Sequence, residues 1–109
     1  MSDIKKLTEA IDAFCREREW EPFHNGKDLA AAIAIEAGEL QEAFLWKKPE
    51  DAKPEKVREE LADVLIYALR MASRYGFDVD EMVREKLRRN GEKYPVEKAK
   101  GRADKYTEL

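Results

Sequence analysis

Between Leu29 and Ala37 the chain is apolar on almost every side of a helical wheel, and no other stretch constrains the fold as strongly. A surface helix carries one apolar stripe, whereas a helix apolar all round must be covered on more than one face. The covering surfaces come from other helices of the chain or from a second subunit. Asn25 followed by Asp28 can cap this segment, and its pattern predicts a helix to about Lys47, expected to be the central element.

Three further segments have helical periodicity. Ile4, Leu7, Ala10, Ile11 and Phe14 recur at steps of three and four after Ser2, a candidate N-cap, and predict a helix to about Trp20. Pro22 and Gly26 interrupt the pattern before the second helix, and residues 48–54 interrupt it after. Pro54 suits the first turn of a third helix to about Tyr75, where Gly76 supplies the stop. Asp78 and Glu81 make a capping box for a fourth helix, expected to end near Asn90-Gly91. Residues 95–109 are basic, weakly patterned and expected to form an irregular tail. With 41% charged and 43% apolar residues, only five Gly and four Pro, and no strand-like alternation, the expectation is one all-α, four-helix bundle-type domain over residues 1–109. A core of that size is adequate but not generous, so a partner subunit is expected to help.

Charge and cysteine usage exclude several function classes. A net charge of -3 and a pI near 5.3 argue against a nucleic-acid polymer as partner, because that binding needs a concentrated basic surface. The apolar run Leu29 to Ile35 is far shorter than the ~20 residues that span a bilayer, so no membrane association and a cytoplasmic location are expected. Cys15 is the only cysteine, which rules out an internal disulfide and a cysteine-based zinc site within one chain.

The chemistry lies in the acids. Glu36 and Glu39 are three residues apart on the second helix, and Glu60 and Asp63 repeat the spacing on the third, so each pair projects from one side of its helix. Glu36 shares its stripe with Leu29, Ile33, Leu40 and Ala43, where an ionised carboxylate costs several kcal/mol unless a cation or donor compensates it. Four converging carboxylates form an oxygen-only site that selects Mg²⁺, or Mn²⁺ in its place, over Zn²⁺, and Mg²⁺ characteristically bridges to phosphates. In a chain with 24 acidic residues the plainer reading, solvated charges that happen to fall three apart, is about even for each of the other three acids and weakest for Glu36 on its apolar seam.

The chain resembles the MazG-like all-α nucleotide pyrophosphohydrolases, and within them the dCTP pyrophosphatase branch. The likeness is carried by Glu19 to His24, by Glu36 to Leu40 and Phe44 to Lys47, by Glu59 to Tyr67, and by Lys86 through Asn90 to Tyr94-Pro95. It implies that Glu36, Glu39, Glu60 and Asp63 ligate Mg²⁺ and take part in catalysis on a nucleoside triphosphate, giving a monophosphate and pyrophosphate. It also implies that Lys86, Asn90, Lys93 and Tyr94 hold the phosphates, that Trp20, His24 and Trp46 lie at the nucleobase pocket, and that the neighbouring Lys47 is among the substrate-binding residues. Tyr67, one turn after Asp63, can donate to a phosphate or carboxylate, although a half-buried core tyrosine is the simpler reading. The resemblance further implies a homodimer or dimer of dimers. It departs at Ile11, where the mammalian members carry a histidine near the base, so base choice does not transfer with the scaffold. Without the resemblance, Lys86 and Lys93 read as ordinary cations near a helix C-terminus and the tryptophans as apolar cover. The rival readings are a phosphoribosyl-ATP pyrophosphatase-like enzyme and a non-catalytic helical interaction protein. A di-iron carboxylate bundle is disfavoured because it needs Glu-x-x-His pairs and the chain has one histidine.

Overall fold

The computed structural model describes residues 3–109, all of whose regular elements are helical. Four long helices follow in order: α1 over Asp3–Glu17, α2 over Gly26–Glu42, α3 over Pro54–Tyr75 and α4 over Val79–Lys93, with a one-turn α5 at Val96–Ala99. The fold class is the all-α one expected, and the expected tail contains α5 and a 3₁₀ turn at Tyr106–Glu108. The candidate cap Ser2 lies outside the described residues.

Helix starts follow their caps. Asn25 Oδ1 accepts from the Asp28 amide at 2.9 Å, and Asp78 Oδ1 accepts from the Glu81 amide at 2.9 Å, each satisfying an amide that the first turn leaves open. Pro54 begins α3, and Gly76 ends it in the left-handed region at φ 71°. Helix ends are less regular. The first helix stops three residues before Trp20, with Glu19 at φ 55° and the Trp20 amide bonded back to the Cys15 carbonyl. The second stops at Glu42, short of Lys47, and continues as turns whose amides bond three residues back until Trp46 reverses the chain at φ 62°. The fourth runs through Gly91 to Lys93. A helix-interior glycine costs only about 1 kcal/mol, while Pro95 excludes the helical conformation for Tyr94, so the proline sets the end.

The chain divides into two compact units, one reaching Phe77 and one from Asp78 to Leu109. In the first unit both α1 and α2 pack against α3, which makes α3 the common partner where α2 was expected to be central. Its apolar core is small: Ile11 and Cys15 from α1, Leu29 from α2, Ala43 from the following turn, and Leu69 and Ala72 from α3. The all-round apolar α2 is only partly covered within the chain, since Leu29 is 1% exposed but Ile35 is 62% exposed. Helix α3 also buries two charged residues, Glu60 and Arg70, and these mark the two halves of the candidate site. In the second unit Tyr94 meets Tyr106 edge to face at 5.9 Å between ring centres, and the Lys93 ammonium lies 4.9 Å from the Tyr106 ring centre.

Candidate active site

Helical spacing explains how α3 lines the site. Glu60, Asp63, Tyr67, Arg70 and Arg74 follow one another at steps of three and four, the seam that normally carries a helix's apolar contacts. The first two meet Glu36 of α2. One carboxylate oxygen from each of Glu36, Glu60 and Asp63 lies within 4.8 Å of the others. Glu60 is 5% exposed, and one oxygen each of Glu36 and Glu60 is buried without a hydrogen-bond partner. Such oxygens retain the full cost of desolvation, so their gathering requires a compensating charge.

Part of that charge comes from Lys56, whose ammonium lies 2.7 Å from the other Glu60 oxygen one turn away. Its own pKa is raised, first by that hydrogen bond and then by the Glu60 charge. Glu39, the fourth expected acid, is exposed and stands at the edge of the cluster. A hydrogen bond with Glu36 is the largest cause, followed by the Glu36 charge, that pushes the Glu39 carboxyl up to about 6. Crowding of this kind, with only oxygen donors and two buried orphan oxygens, fits a hard divalent cation.

The other half of the seam meets α1 and the turn before α2. Trp20, His24 and Tyr67 form a chain of edge-to-face rings, with centres 6.0 Å apart for Trp20 and His24 and 6.5 Å apart for His24 and Tyr67. Burial, then the charges of Glu36 and Asp63, raises the Tyr67 pKa, which keeps its phenol a donor and shows that it lies within the field of the acids. Arg70 is 4% exposed and donates from Nε to His24 Nδ1 at 3.0 Å and from Nη1 to Asp12 Oδ1 at 2.7 Å. The Ser73 hydroxyl donates to the second Asp12 oxygen at 2.5 Å. Arg74 donates to the His24 carbonyl at 3.2 Å and to the Glu21 carbonyl at 3.4 Å, tying the turn to α3. Burial is the main cause that raises the Cys15 thiol, so it behaves as core.

Trp46 stands elsewhere. It is 94% exposed, holds a left-handed backbone that bulky residues rarely adopt, and lines a cleft of about 690 Å³ with Glu39, Glu42, Phe44 and Leu45. Lys47 follows it, exposed in the same turn. Lys86, Asn90, Lys93 and Tyr94 all belong to the second unit, where Lys86 and Asn90 are one turn apart on α4 and Lys93 and Tyr94 close it. Asp12, Lys56, Arg70, Ser73 and Arg74 were not anticipated. The polar seam on α3 was the available signal for the two arginines; Asp12 pairs with Arg70 across 58 residues and leaves no short-range trace.

Comparison with known proteins gives the family and matches the fold. Residues 31–109 match the MazG-like family. Over its whole length the chain is 38% identical to dCTP pyrophosphatase 1 of Mus musculus and 37% identical to that of Homo sapiens, covering 67% of each. A pyrophosphatase from Archaeoglobus fulgidus, known from its crystal structure, superposes with a TM-score of 0.80 at 33% identity, over 87% of this chain and 94% of that one. The chain belongs to the MazG-like family.

Proposed function

We propose that this enzyme hydrolyses a nucleoside or deoxynucleoside triphosphate between its α and β phosphates, with Mg²⁺ held by Glu36, Glu60 and Asp63 and with Glu39 at the rim. It is a nucleotide pyrophosphohydrolase by family and by its relatives. The observation that carries the finer reading is the pair of buried, unpartnered oxygens on Glu36 and Glu60 beside Asp63. Mn²⁺ would suit the same donors.

When bound, the divalent ion supplies charge neutralisation on the phosphoryl oxygens and acidifies water near neutral pH. The protein does the rest. Glu39, exposed at the rim beside the other acids, can take a proton from water that approaches the site. Tyr67, a neutral donor between the acids and His24, can bond a phosphate oxygen. Trp20 and His24 offer ring surface to a base, and Trp46 offers an exposed face over the cleft that Glu39 lines. Lys86, Asn90, Lys93 and Tyr94 are assigned to the phosphates by the family likeness, as cations and neutral donors.

The enzyme is further proposed to act as a homodimer or homotetramer in the cytoplasm, controlling or cleansing the nucleotide pool, with dCTP or a modified deoxynucleotide as a candidate substrate. Uncovered apolar residues on α2 and α3, among them Ile35, Leu61 and Leu65, support association. No helix among the described residues is long and apolar enough to cross a membrane.

A panel of NTPs and dNTPs with and without Mg²⁺, followed by product analysis, tests the proposal. Monophosphate plus pyrophosphate is expected; diphosphate plus orthophosphate would place the cleavage elsewhere. The Lys56 pairing gives a second expectation. Lys56→Met removes a cation that competes for Glu60, and should tighten Mn²⁺ binding about threefold by calorimetry, a small effect because the lysine is exposed to solvent. Unchanged affinity would mean that Lys56 does not compete with the ion.

A further inference from the structure

We propose that Arg70 is a positioning residue for nucleobase recognition: its Nε–H bond to His24 Nδ1 holds the imidazole as the Nε2–H tautomer, so that His24 offers a donor to a hydrogen-bond acceptor on the base. This inference rests on the triphosphate reading above and adds how the pocket is polarised.

Neutral histidine has one donor nitrogen and one acceptor, and the bond made by one decides the chemistry of the other. Arg70 can only donate, so the nitrogen it meets must be the acceptor and the proton must sit on Nε2. The guanidinium is fixed independently of His24. Asp12 binds Nη1 at 2.7 Å, Ser73 holds the far oxygen of Asp12, and Arg70 is 4% exposed. Arg74 fixes the other side of the residue through the His24 carbonyl. The ring packs edge-on against Trp20 and Tyr67, which fixes its plane. Among the described residues His24 Nε2 has no hydrogen-bond partner, which leaves its proton for a ligand. The groups facing the imidazole are Arg70 and Arg74 from α3 and Glu21 from its own turn. Burial first, then the two arginines, hold it below the ordinary histidine range against the weaker pull of Glu21. Near neutral pH it is therefore an uncharged, one-sided donor. A base presenting a carbonyl or an unprotonated ring nitrogen to that edge is favoured, and one presenting an N–H is not.

Because His24 is the only histidine, ¹⁵N-imidazole NMR reads it without assignment ambiguity. The free protein should show the Nε2–H tautomer with Nδ1 as acceptor. The Nε2 resonance should move with an α,β-imido dNTP and stay in place with inorganic tripolyphosphate, which has no base. Arg70→Lys keeps a charge for Asp12 but cannot reach both partners, and should mix the tautomers. In turnover it should raise KM about tenfold with kcat within about twofold, the signature of one lost bond to a part of the substrate remote from the reacting phosphates. Arg70→Met should do the same more strongly; if it fails to fold, the parent protein and Arg70→Lys still decide the matter. An Nδ1–H histidine in the parent, an unchanged tautomer in Arg70→Lys, or a fall in kcat at constant KM would each overturn the assignment. Normal turnover with the wrong tautomer sinks the Arg70 role alone. Absence of turnover on every nucleotide sinks the triphosphate reading, and the base-reading role with it.

Discussion

Glu36→Gln and Asp63→Asn should each fold normally and lose activity by about 10²–10³-fold or more, the scale on which a preorganised electrostatic contact acts in a transition state. Each substitution keeps the shape of the side chain and removes a negative charge from a cluster whose oxygens lie within 4.8 Å. The folding expectation is specific. Acids gathered this closely repel one another, and the buried Glu36 oxygen has no donor, so an amide there relieves repulsion in the metal-free protein. The melting temperature without metal should hold or rise while activity collapses, the usual relation between stability and function at a strained site. Thermal melts with and without Mg²⁺ separate the effects: the increment on adding Mg²⁺ should shrink in both variants. Full turnover by Glu36→Gln would remove the proposed metal cage, whatever the melt showed.

The parts of the fold and site that could be read in advance are those written in short-range chemistry. Asn25, Asp78, Pro54 and Gly76 act within one turn of themselves, so the starts of α2, α3 and α4 and the end of α3 follow from them. The end of α2 does not, because Phe44, Leu45 and Trp46 contain no breaker and the left-handed Trp46 is a tertiary outcome. Likewise Glu36 announced itself as an acid on an apolar stripe, and the spacing of Glu60 and Asp63 gave its partners. The Asp12, Arg70 and His24 group draws on α1, α3 and the turn between α1 and α2, and no local pattern ties Asp12 or His24 to Arg70. A polar residue at every step of the α3 seam was nonetheless visible, and a helix face of that kind is a reason to look for a site along its whole length.

The largest loss of stability should come from Leu29→Ala. Leu29 is 1% exposed and is the largest side chain to be fully buried among the described residues, in a core otherwise made of Ile11, Leu69 and the small residues Cys15, Ala43 and Ala72. Truncating a buried leucine costs the transfer of the lost groups plus the cavity left behind, about 3 kcal/mol, and small neighbours have little side chain with which to fill the gap. For a chain of this length that corresponds to a fall of roughly 10–20 °C in Tm by circular dichroism. Leu29→Met, which nearly conserves volume, should cost less than about 1.5 kcal/mol. The contrast with Glu36→Gln is the informative part, since both residues lie on one stripe of α2. Leu29→Ala should retain near-parental kcat well below its melting point, because it weakens the docking of α2 without touching the acids. Glu36→Gln should stay folded and inactive at every temperature. A Leu29→Ala loss below about 1 kcal/mol would mean that α2 is held chiefly by its uncovered apolar face against another subunit, a case distinguished by a Tm that rises with protein concentration.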